Sequence, residues 1–296
     1  MTQTNVFDLS ATSVAQLAQA DAARALAEDI GAGDLTAALV DPQRRAHAKI
    51  LAREAAVLCG APWVEATVRQ LDPTARLQWH VREGETCAVN QVVLEIEGNA
   101  RALLSAERTA LNFLQLLSAV ASRTALHVQA VQGTKTQIVD TRKTLPGLRL
   151  AQKYAVRMGG GTNHRIGLFD AVLVKENHIV AAGGITAVMR QVAASADITQ
   201  RASFVEIEVE TLAELDEALA AGADMLLLDN MPLPDLFEAV RRNALRGEQR
   251  AVLEISGGVT LESLPALAQT GVDRISVGAL TKDIQATDFS MRFQDL

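Results

Sequence analysis

The chain has 296 residues, a formal charge of −7 and only 3% aromatic residues. An acidic chain with so few rings lacks the basic surface and stacking side chains of a general nucleic-acid binder, so that class is disfavoured. No apolar run approaches the ~18 residues of a membrane span, and residues 1–10 lack the basic start and apolar core of a signal peptide. Cys59 and Cys87 form no CxxC motif, which predicts reduced packing thiols in a cytoplasmic protein.

The first part of the chain, residues 1–130, predicts an N-terminal domain of the α/β sandwich type. Small apolar residues at helical spacing predict a helix over 14–30, and a long helical region in two pieces over 100–129. Three strand-like stretches lie between them, at 49–58, 77–81 and 92–96. Helices packed on one small antiparallel sheet are the simplest layer arrangement for this order.

From residue 131 the sequence alternates short β-branched runs with helical stretches. The runs occupy 136–140, 171–174, 204–209, 225–228, 251–255 and 274–277. This alternation predicts a parallel sheet covered on both faces, open or closed. Right-handed crossovers bring the carboxyl ends of the strands to one rim, where α/β barrels build their active sites. The predicted fold class is α/β, with a barrel domain over 131–282, and the segment 283–296 is free to pack back onto the first domain.

Cations cluster after the first two of these strands. Residues 135–178 hold eight Lys or Arg against three acids. Arg149, Lys153 and Arg157 follow helical spacing and fit a solvated helix face. Four others follow strand ends or a glycine-rich loop, where such groups suit a small polyanion; they are Arg142, Lys143, Arg165 and Lys175.

A glycine-rich loop precedes one of these arginines. The three consecutive glycines Gly159–Gly161 imply close backbone approach or positive φ. A lone histidine usually has a structural role. Because His164 stands between the glycines and Arg165, the sequence leaves open both a structural role and contact with substrate.

The third run of the barrel domain alternates strictly, which puts its three glutamates on one face. They are Glu206, Glu208 and Glu210. Such an alternation ordinarily indicates a strand with one solvent-exposed face. In a parallel sheet, however, crossover helices cover both faces, so these carboxylates are expected in the barrel mouth. There they need cations, from Lys143 and Lys175 or from a metal. Glu208 is the expected catalytic carboxylate, and Asp229 at the next strand end can complete a pair around Mg²⁺ or a developing positive charge.

Two turns of small residues end the last strands of the barrel domain. Ser256-Gly257-Gly258 precedes a helix expected near Leu261, and Gly278-Ala279 ends the following strand. Exposed backbone N–H groups and a helix N-terminus attract anions, so a phosphate site is expected there.

Seven stretches, in order over nearly the whole chain, resemble the quinolinate phosphoribosyltransferase family. They are EDIGAGDLT (Glu28–Thr36), SAERTALNFL (Ser105–Leu114), DTRKTLPGLR (Asp140–Arg149), GGGTNHRIGLFDAVLVKENHI (Gly159–Ile179), VEIEVE (Val205–Glu210), LLLDNM (Leu226–Met231) and EISGGV (Glu254–Val259). One departure is Lys282, which stands where many members carry His.

The resemblance implies an α/β sandwich joined to an incomplete, seven-stranded α/β barrel, and a homodimer whose active sites are shared between subunits. Arg108 is implied to reach across that interface. The implied reaction transfers phosphoribosyl from phosphoribosyl pyrophosphate (PRPP) to quinolinate in NAD biosynthesis, giving nicotinate mononucleotide, pyrophosphate and CO₂. Mg²⁺, held largely through PRPP, is the implied cofactor.

The implied roles fall on the residues already singled out. The catalytic set is Lys143, Lys175, Glu208 and Asp229, of which Glu208 and Asp229 are also the metal ligands. The substrate-binding set adds Arg108, Thr141, Arg142, His164, Arg165, Ser256, Gly257, Gly258, Gly278 and Ala279.

Three other functions remain open at this point. A relative associated with molybdenum transport would keep the fold with a different ligand, although the complete basic set argues against it. A Schiff-base aldolase would use Lys175 as a neutral amine at a strand end. A non-catalytic phosphate-binding module would not need Glu208 and Asp229.

Overall fold

The computed structural model describes residues 8–294, whose contacts divide them into two compact units. The antiparallel unit comprises 8–125, 144–160 and 279–294, and the parallel unit comprises 126–143 and 161–278. The later segments 144–160 and 279–294 thus group by their contacts with the antiparallel unit.

The described residues contain the following α-helices and β-strands, numbered in chain order. The helices are α1 (Ala11–Ile30), α2 (Ala61–Leu71), α3 (Ala100–Ala130), α4 (Arg149–Met158), α5 (Glu176–Ala182), α6 (Ile185–Ala194), α7 (Ala196–Arg201), α8 (Leu212–Ala220), α9 (Leu233–Ala244), α10 (Leu264–Gln269) and α11 (Ala279–Lys282). The strands are β1 (Arg45–Ala52), β2 (Ala56–Val57), β3 (Arg76–Trp79), β4 (Thr86–Cys87), β5 (Val92–Asn99), β6 (Gln137–Val139), β7 (Val172–Val174), β8 (Val205–Val209), β9 (Met225–Asp229), β10 (Val252–Ser256), β11 (Arg274–Ser276) and β12 (Phe289–Gln294).

The antiparallel unit is built on a four-stranded sheet of order β12-β1-β5-β3. Burial alternates along β1, as expected for a strand with one covered face. The covered face packs on α3, with Ile50, Leu94 and Ile96 meeting Leu111 and Leu114 in one buried core. Helix α3 is continuous, whereas two pieces were expected, because its sequence contains no Gly or Pro to break the turns.

The parallel unit contains a six-stranded sheet of order β6-β11-β10-β9-β8-β7, and every pairing is parallel. Strand β9 is buried along four of its five residues, as covering on both faces requires. A seventh strand is reduced to one bridge beside β6. There Thr162 donates its N–H to Ile138 at 2.8 Å and accepts the N–H of Asp140 at 3.1 Å.

Two further sequence predictions concern single features of the described residues. Cys59 and Cys87 are buried free thiols, as expected for packing residues. Among residues 8–294, none of the helices combines the length and the apolar character that a membrane span demands.

Candidate active site

A cavity of about 670 Å³ opens at the carboxyl ends of the parallel strands. Among residues 8–294, those that line it all belong to the parallel unit. They are Thr141, Arg142, Lys143, His164, Arg165, Leu173, Lys175, Glu208, Leu227, Asp229, Asn230, Glu254, Ser256, Gly257, Gly258 and Ser276. Strand ends and the loops after them supply nearly all of these side chains, which is the position of active sites in α/β barrels.

One wall of the cavity is cationic. Arg142 and Lys143 follow β6, where Thr141 Oγ1 accepts the Lys143 N–H at 3.0 Å. Burial, and secondarily the charge of Arg142, lowers the pKa of the Arg165 guanidinium. Within the described residues, the buried Nε of Arg142 has no hydrogen-bond acceptor. Two neighbouring guanidinium groups with unused donor capacity are suited to a bidentate anion such as a carboxylate.

The loop that carries Arg165 is closed by Asp170. Its carboxylate accepts the N–H groups of Ile166 and Gly167, each at 2.8 Å. Arg165 itself is 9% exposed and donates from Nη1 to the carbonyl of Ala171 at 3.4 Å. This turn therefore fixes the direction in which the guanidinium enters the cavity.

The cavity also presents two carboxylates. Glu208, in β8, forms a salt bridge with Lys175, which follows β7. Asp229, at the end of β9, accepts a hydrogen bond from Asn230 Nδ2 at 2.8 Å. In this salt bridge Lys175 is engaged as an ammonium group, whereas a Schiff base requires the neutral amine, so the aldolase alternative is disfavoured.

Backbone turns complete the cavity at the ends of β9 and β10. Gly257 and Gly258 have φ of +95° and +56°, and a Cβ on Gly257 would stand 2.1 Å from Asn230 Oδ1. Asn230, itself at φ +53°, donates its N–H to the Ser256 carbonyl at 3.0 Å. Successive backbone N–H groups in such turns form concave anion sites.

A charged cluster lies buried at the base of the cavity. Nε2 of His164 is 2.8 Å from Glu206 Oε2 and 3.5 Å from Glu254 Oε1, and Glu254 Oε2 is 3.1 Å from Arg274 Nε. Burial raises the pKa of both carboxyl groups to about 7, and for Glu254 the charge of Glu206 adds to the increase. One ligand atom each from His164, Glu206 and Glu254 lies within 4.8 Å of the others, a spacing compatible with a metal ion.

The structure brings most of the predicted site residues into one cavity. These are Thr141, Arg142, Lys143, His164, Arg165, Lys175, Glu208, Asp229, Ser256, Gly257 and Gly258. Gly278 instead stands behind the wall, where an added Cβ would meet Lys143 Cδ at 3.1 Å. Ala279 begins the short helix α11, which ends at the exposed Lys282. Arg108 is exposed on α3, in the antiparallel unit.

Three local expectations were wrong. The helix after Gly258 begins at Leu264, because turn residues intervene, so its N-terminus does not adjoin the glycines. Lys153 is 1% exposed on α4 and is no part of a solvated face, because that turn of the helix is covered. The three glutamates of the alternating run do not share one environment: Glu206 in β8 is buried below the cavity, Glu208 in β8 lines it, and Glu210, just after β8, is exposed.

Sequence reasoning missed part of the site. Glu254, Asn230 and Ser276 line the cavity, and Arg274 accompanies Glu254 beneath it. The available signal was an acid and a base at matching positions in two neighbouring apolar strands, which pair Glu254 directly with Arg274. Charges inside apolar strands need partners, so each predicts the other.

The parallel sheet and its anion-binding cavity define an α/β-barrel class of enzyme that acts on a polyanionic substrate. Family models for the N-terminal and C-terminal domains of quinolinate phosphoribosyl transferase match residues 34–118 and 120–292. The chain belongs to the quinolinate phosphoribosyltransferase family.

Individual relatives are similar over most of their length. The structure of the nicotinate-nucleotide pyrophosphorylase from Francisella tularensis is 43% identical, covers 95% of this chain and 97% of its own, and gives a TM-score of 0.87. The probable nicotinate-nucleotide pyrophosphorylase [carboxylating] of Bacillus subtilis (strain 168) is 41% identical over 264 residues, 89% of each chain. The mitochondrial quinolinate phosphoribosyltransferase [decarboxylating] 2a of Nicotiana tabacum is 37% identical over 90% of this chain and 80% of its own.

Proposed function

We propose that this chain transfers phosphoribosyl from PRPP to quinolinate with loss of CO₂, producing nicotinate mononucleotide and pyrophosphate for NAD biosynthesis. The observation that carries the proposal is one cavity lined by a pair of guanidinium groups and by two carboxylates. A pyridine dicarboxylate needs the guanidinium groups. A sugar that develops positive charge at its anomeric carbon needs the carboxylates.

Quinolinate binds to the cationic wall in this proposal. Its adjacent carboxylates accept hydrogen bonds from Arg142 and Arg165, and the Lys175 ammonium supplies further positive charge. The buried Arg142 Nε supports this assignment, because a buried donor without an acceptor is costly and a carboxylate would satisfy it. Burial, and secondarily the charge of Arg142, lowers the pKa of Arg165, and an anion bound between the two guanidinium groups would relieve their repulsion.

PRPP occupies the rest of the cavity. Lys143 contacts its pyrophosphate, and the N–H groups of Ser256–Gly258 receive its 5′-phosphate. Glu208 and Asp229 present the hard oxygen donors that Mg²⁺ prefers, so these residues fit a metal carried in on PRPP. Bound there, Mg²⁺ would neutralise charge on the pyrophosphate.

The chemistry then proceeds by substitution at the anomeric carbon. The bond from C1 to the pyrophosphate oxygen breaks, and the ring nitrogen of quinolinate forms a bond to C1. Glu208 and Asp229 stabilise the oxocarbenium character in between, while Lys143 stabilises the departing pyrophosphate. The carboxylate beside the now positive nitrogen leaves as CO₂, and its electron pair stays on the ring carbon, which takes up a proton.

We further propose that the enzyme is a cytoplasmic homodimer in which Arg108 of each subunit contributes to the other's cavity. The exposure of Arg108 on α3 is compatible with that role. The two free buried thiols fit a reducing compartment.

A coupled assay tests the proposal directly. The protein is supplied with PRPP, Mg²⁺ and either quinolinate or nicotinate, and nicotinate mononucleotide and CO₂ are followed. We expect product from quinolinate and none from nicotinate, which lacks the second carboxylate that Arg142 and Arg165 would bind. Failure to turn over quinolinate while PRPP still binds would refute the proposed substrate, and failure to bind PRPP would refute the reaction class.

A further inference from the structure

His164 has both ring nitrogens engaged inside the protein. Nδ1 accepts the backbone N–H of Arg165 at 2.7 Å, and Nε2 lies 2.8 Å from Glu206 Oε2. The residue is 7% exposed, and its ring stands edge-on to that of Phe204 with the centroids 5.3 Å apart. The imidazole is therefore held on several sides before any ligand arrives.

These contacts fix the tautomer. An N–H can donate to Nδ1 only if that nitrogen keeps its lone pair, so the ring proton of the neutral imidazole is on Nε2. Nε2–H then donates to Glu206, which is the favourable direction toward a carboxylate. A metal ion on Nε2 would need the lone pair of that nitrogen while the Nδ1 lone pair accepts the Arg165 N–H. The ring would then carry no proton at all, so the donor chemistry of this cluster does not fit a metal.

The same segment is anchored from its other side by Asp140. One oxygen of this carboxylate accepts the His164 N–H at 2.8 Å, and the other accepts Asn163 Nδ2 at 2.7 Å. The backbone of His164 is thus tied to the end of β6, while its side chain is tied to β8 through Glu206. Because the Arg165 N–H donates to His164 Nδ1, these contacts of His164 also fix the backbone position of Arg165.

We propose that Glu206 and His164 are positioning residues that act through Arg165. Glu206 keeps the proton of His164 on Nε2, and the free Nδ1 lone pair holds the Arg165 backbone so that its guanidinium meets a quinolinate carboxylate. His164 donates no hydrogen bond to substrate. This inference rests on the role proposed above for Arg165.

Two substitutions of His164 separate positioning from substrate contact. His164→Asn keeps an acceptor near the position of Nδ1, whereas His164→Gln keeps a donor near the position of Nε2. We expect the KM for quinolinate to stay within a few-fold in His164→Asn and to rise roughly tenfold in His164→Gln, the cost of one lost hydrogen bond, with the KM for PRPP unchanged in both. The reverse order would overturn the proposal, because it would mean that the Nε2 side acts.

The tautomer is measured without any turnover. In protein labelled with ¹⁵N-histidine, we expect the His164 ring to show a protonated Nε2 and an unprotonated Nδ1, both in the wild type and in Glu206→Gln, whose side-chain carbonyl still accepts the bond. A proton on Nδ1 would overturn the proposal even if every His164 variant folded poorly. Arg165→Ala is assayed in parallel: an unchanged KM for quinolinate would refute the proposed role of Arg165 and leave the tautomer result standing.

Discussion

Arg165 is the residue whose removal best separates the two substrates. Arg165→Ala should raise the KM for quinolinate roughly 10- to 150-fold, as expected when hydrogen bonds to a charged group worth about 1.5–3 kcal/mol are lost. The KM for PRPP should change little. Arg165→Lys keeps the charge without the bidentate fork and should fall between the wild type and alanine. Equal loss of both substrates on steady-state analysis would show that the arginine is misassigned.

Glu208, in β8, and Glu210, just after its end, form a matched pair for substitution. Glu208→Gln removes a charge that faces the cavity, and kcat should fall roughly 100-fold, the usual effect of deleting one electrostatic stabiliser of a transition state. Glu210→Gln alters an exposed carboxylate beyond the end of β8 and should leave kcat near the wild-type value. Thermal melts of both variants check that the fold persists. An unchanged kcat in Glu208→Gln would remove that residue from the mechanism.

At the scale of elements, the turn after β10 offers a comparison of two adjacent glycines. Both have positive φ, so alanine at either costs about 1–2 kcal/mol for the left-handed backbone. Only at Gly257 would the new Cβ also strike Asn230, whereas nothing stands within 4 Å at Gly258. Gly257→Ala should therefore lower thermal stability more than Gly258→Ala and raise the KM for PRPP. Equal effects of the two substitutions would contradict the close packing of this turn.

The positions of the parallel strands along the chain, and most of the residues that line the cavity, could be predicted from sequence, because each apolar run ends abruptly in polar or glycine residues. The end of an apolar run can be recognised from neighbouring residues alone, and right-handed crossovers bring the carboxyl ends of the strands to the same edge of the sheet. Whether a single charged residue is buried cannot be predicted from its neighbours in the sequence. Lys153 has the spacing of an exposed helical cation, and only tertiary packing shows that it is buried.

For the whole molecule, the buried carboxyl group of Glu254 couples stability to pH. Its pKa is raised from 4.5 to about 7, so the folded state binds this proton more tightly than the unfolded state does. The resulting stabilisation is full below pH ~4.5 and is lost as the pH rises through ~7. Each tenfold difference in proton affinity between the folded and unfolded states corresponds to about 1.4 kcal/mol.

Glu254→Gln should reduce the slope of the unfolding free energy against pH between 5 and 8, because one of the two buried carboxyl groups that titrate near pH 7 is gone and Glu206 remains. Urea unfolding at several pH values measures this slope. Glu248→Gln, at an exposed position, serves as the control and should keep the wild-type slope. Parallel curves for Glu254→Gln and the wild type would contradict the assignment, whatever the absolute stability of the variant.

The proposed sharing of active sites between subunits can be tested by mixing inactive variants. Arg108→Ala and Arg165→Ala each spoil every site of their own homodimer. In a mixed dimer, one cavity receives both intact arginines, so random exchange of subunits should restore about a quarter of wild-type activity. Activity that stays at the level of the separate variants, with exchange verified by differential tags, would show that Arg108 does not act across subunits.

The pairing of β12 with β1 has a consequence for how the chain is made. The sheet of the antiparallel unit contains β1, β3 and β5, which a ribosome delivers early, but its outer strand β12 follows the entire parallel sheet in synthesis. Until β12 arrives, β1 presents an unpaired edge, the kind of surface that invites pairing with another nascent chain. A chaperone, or a transient contact within the nascent chain, would protect the unpaired edge of β1 during translation.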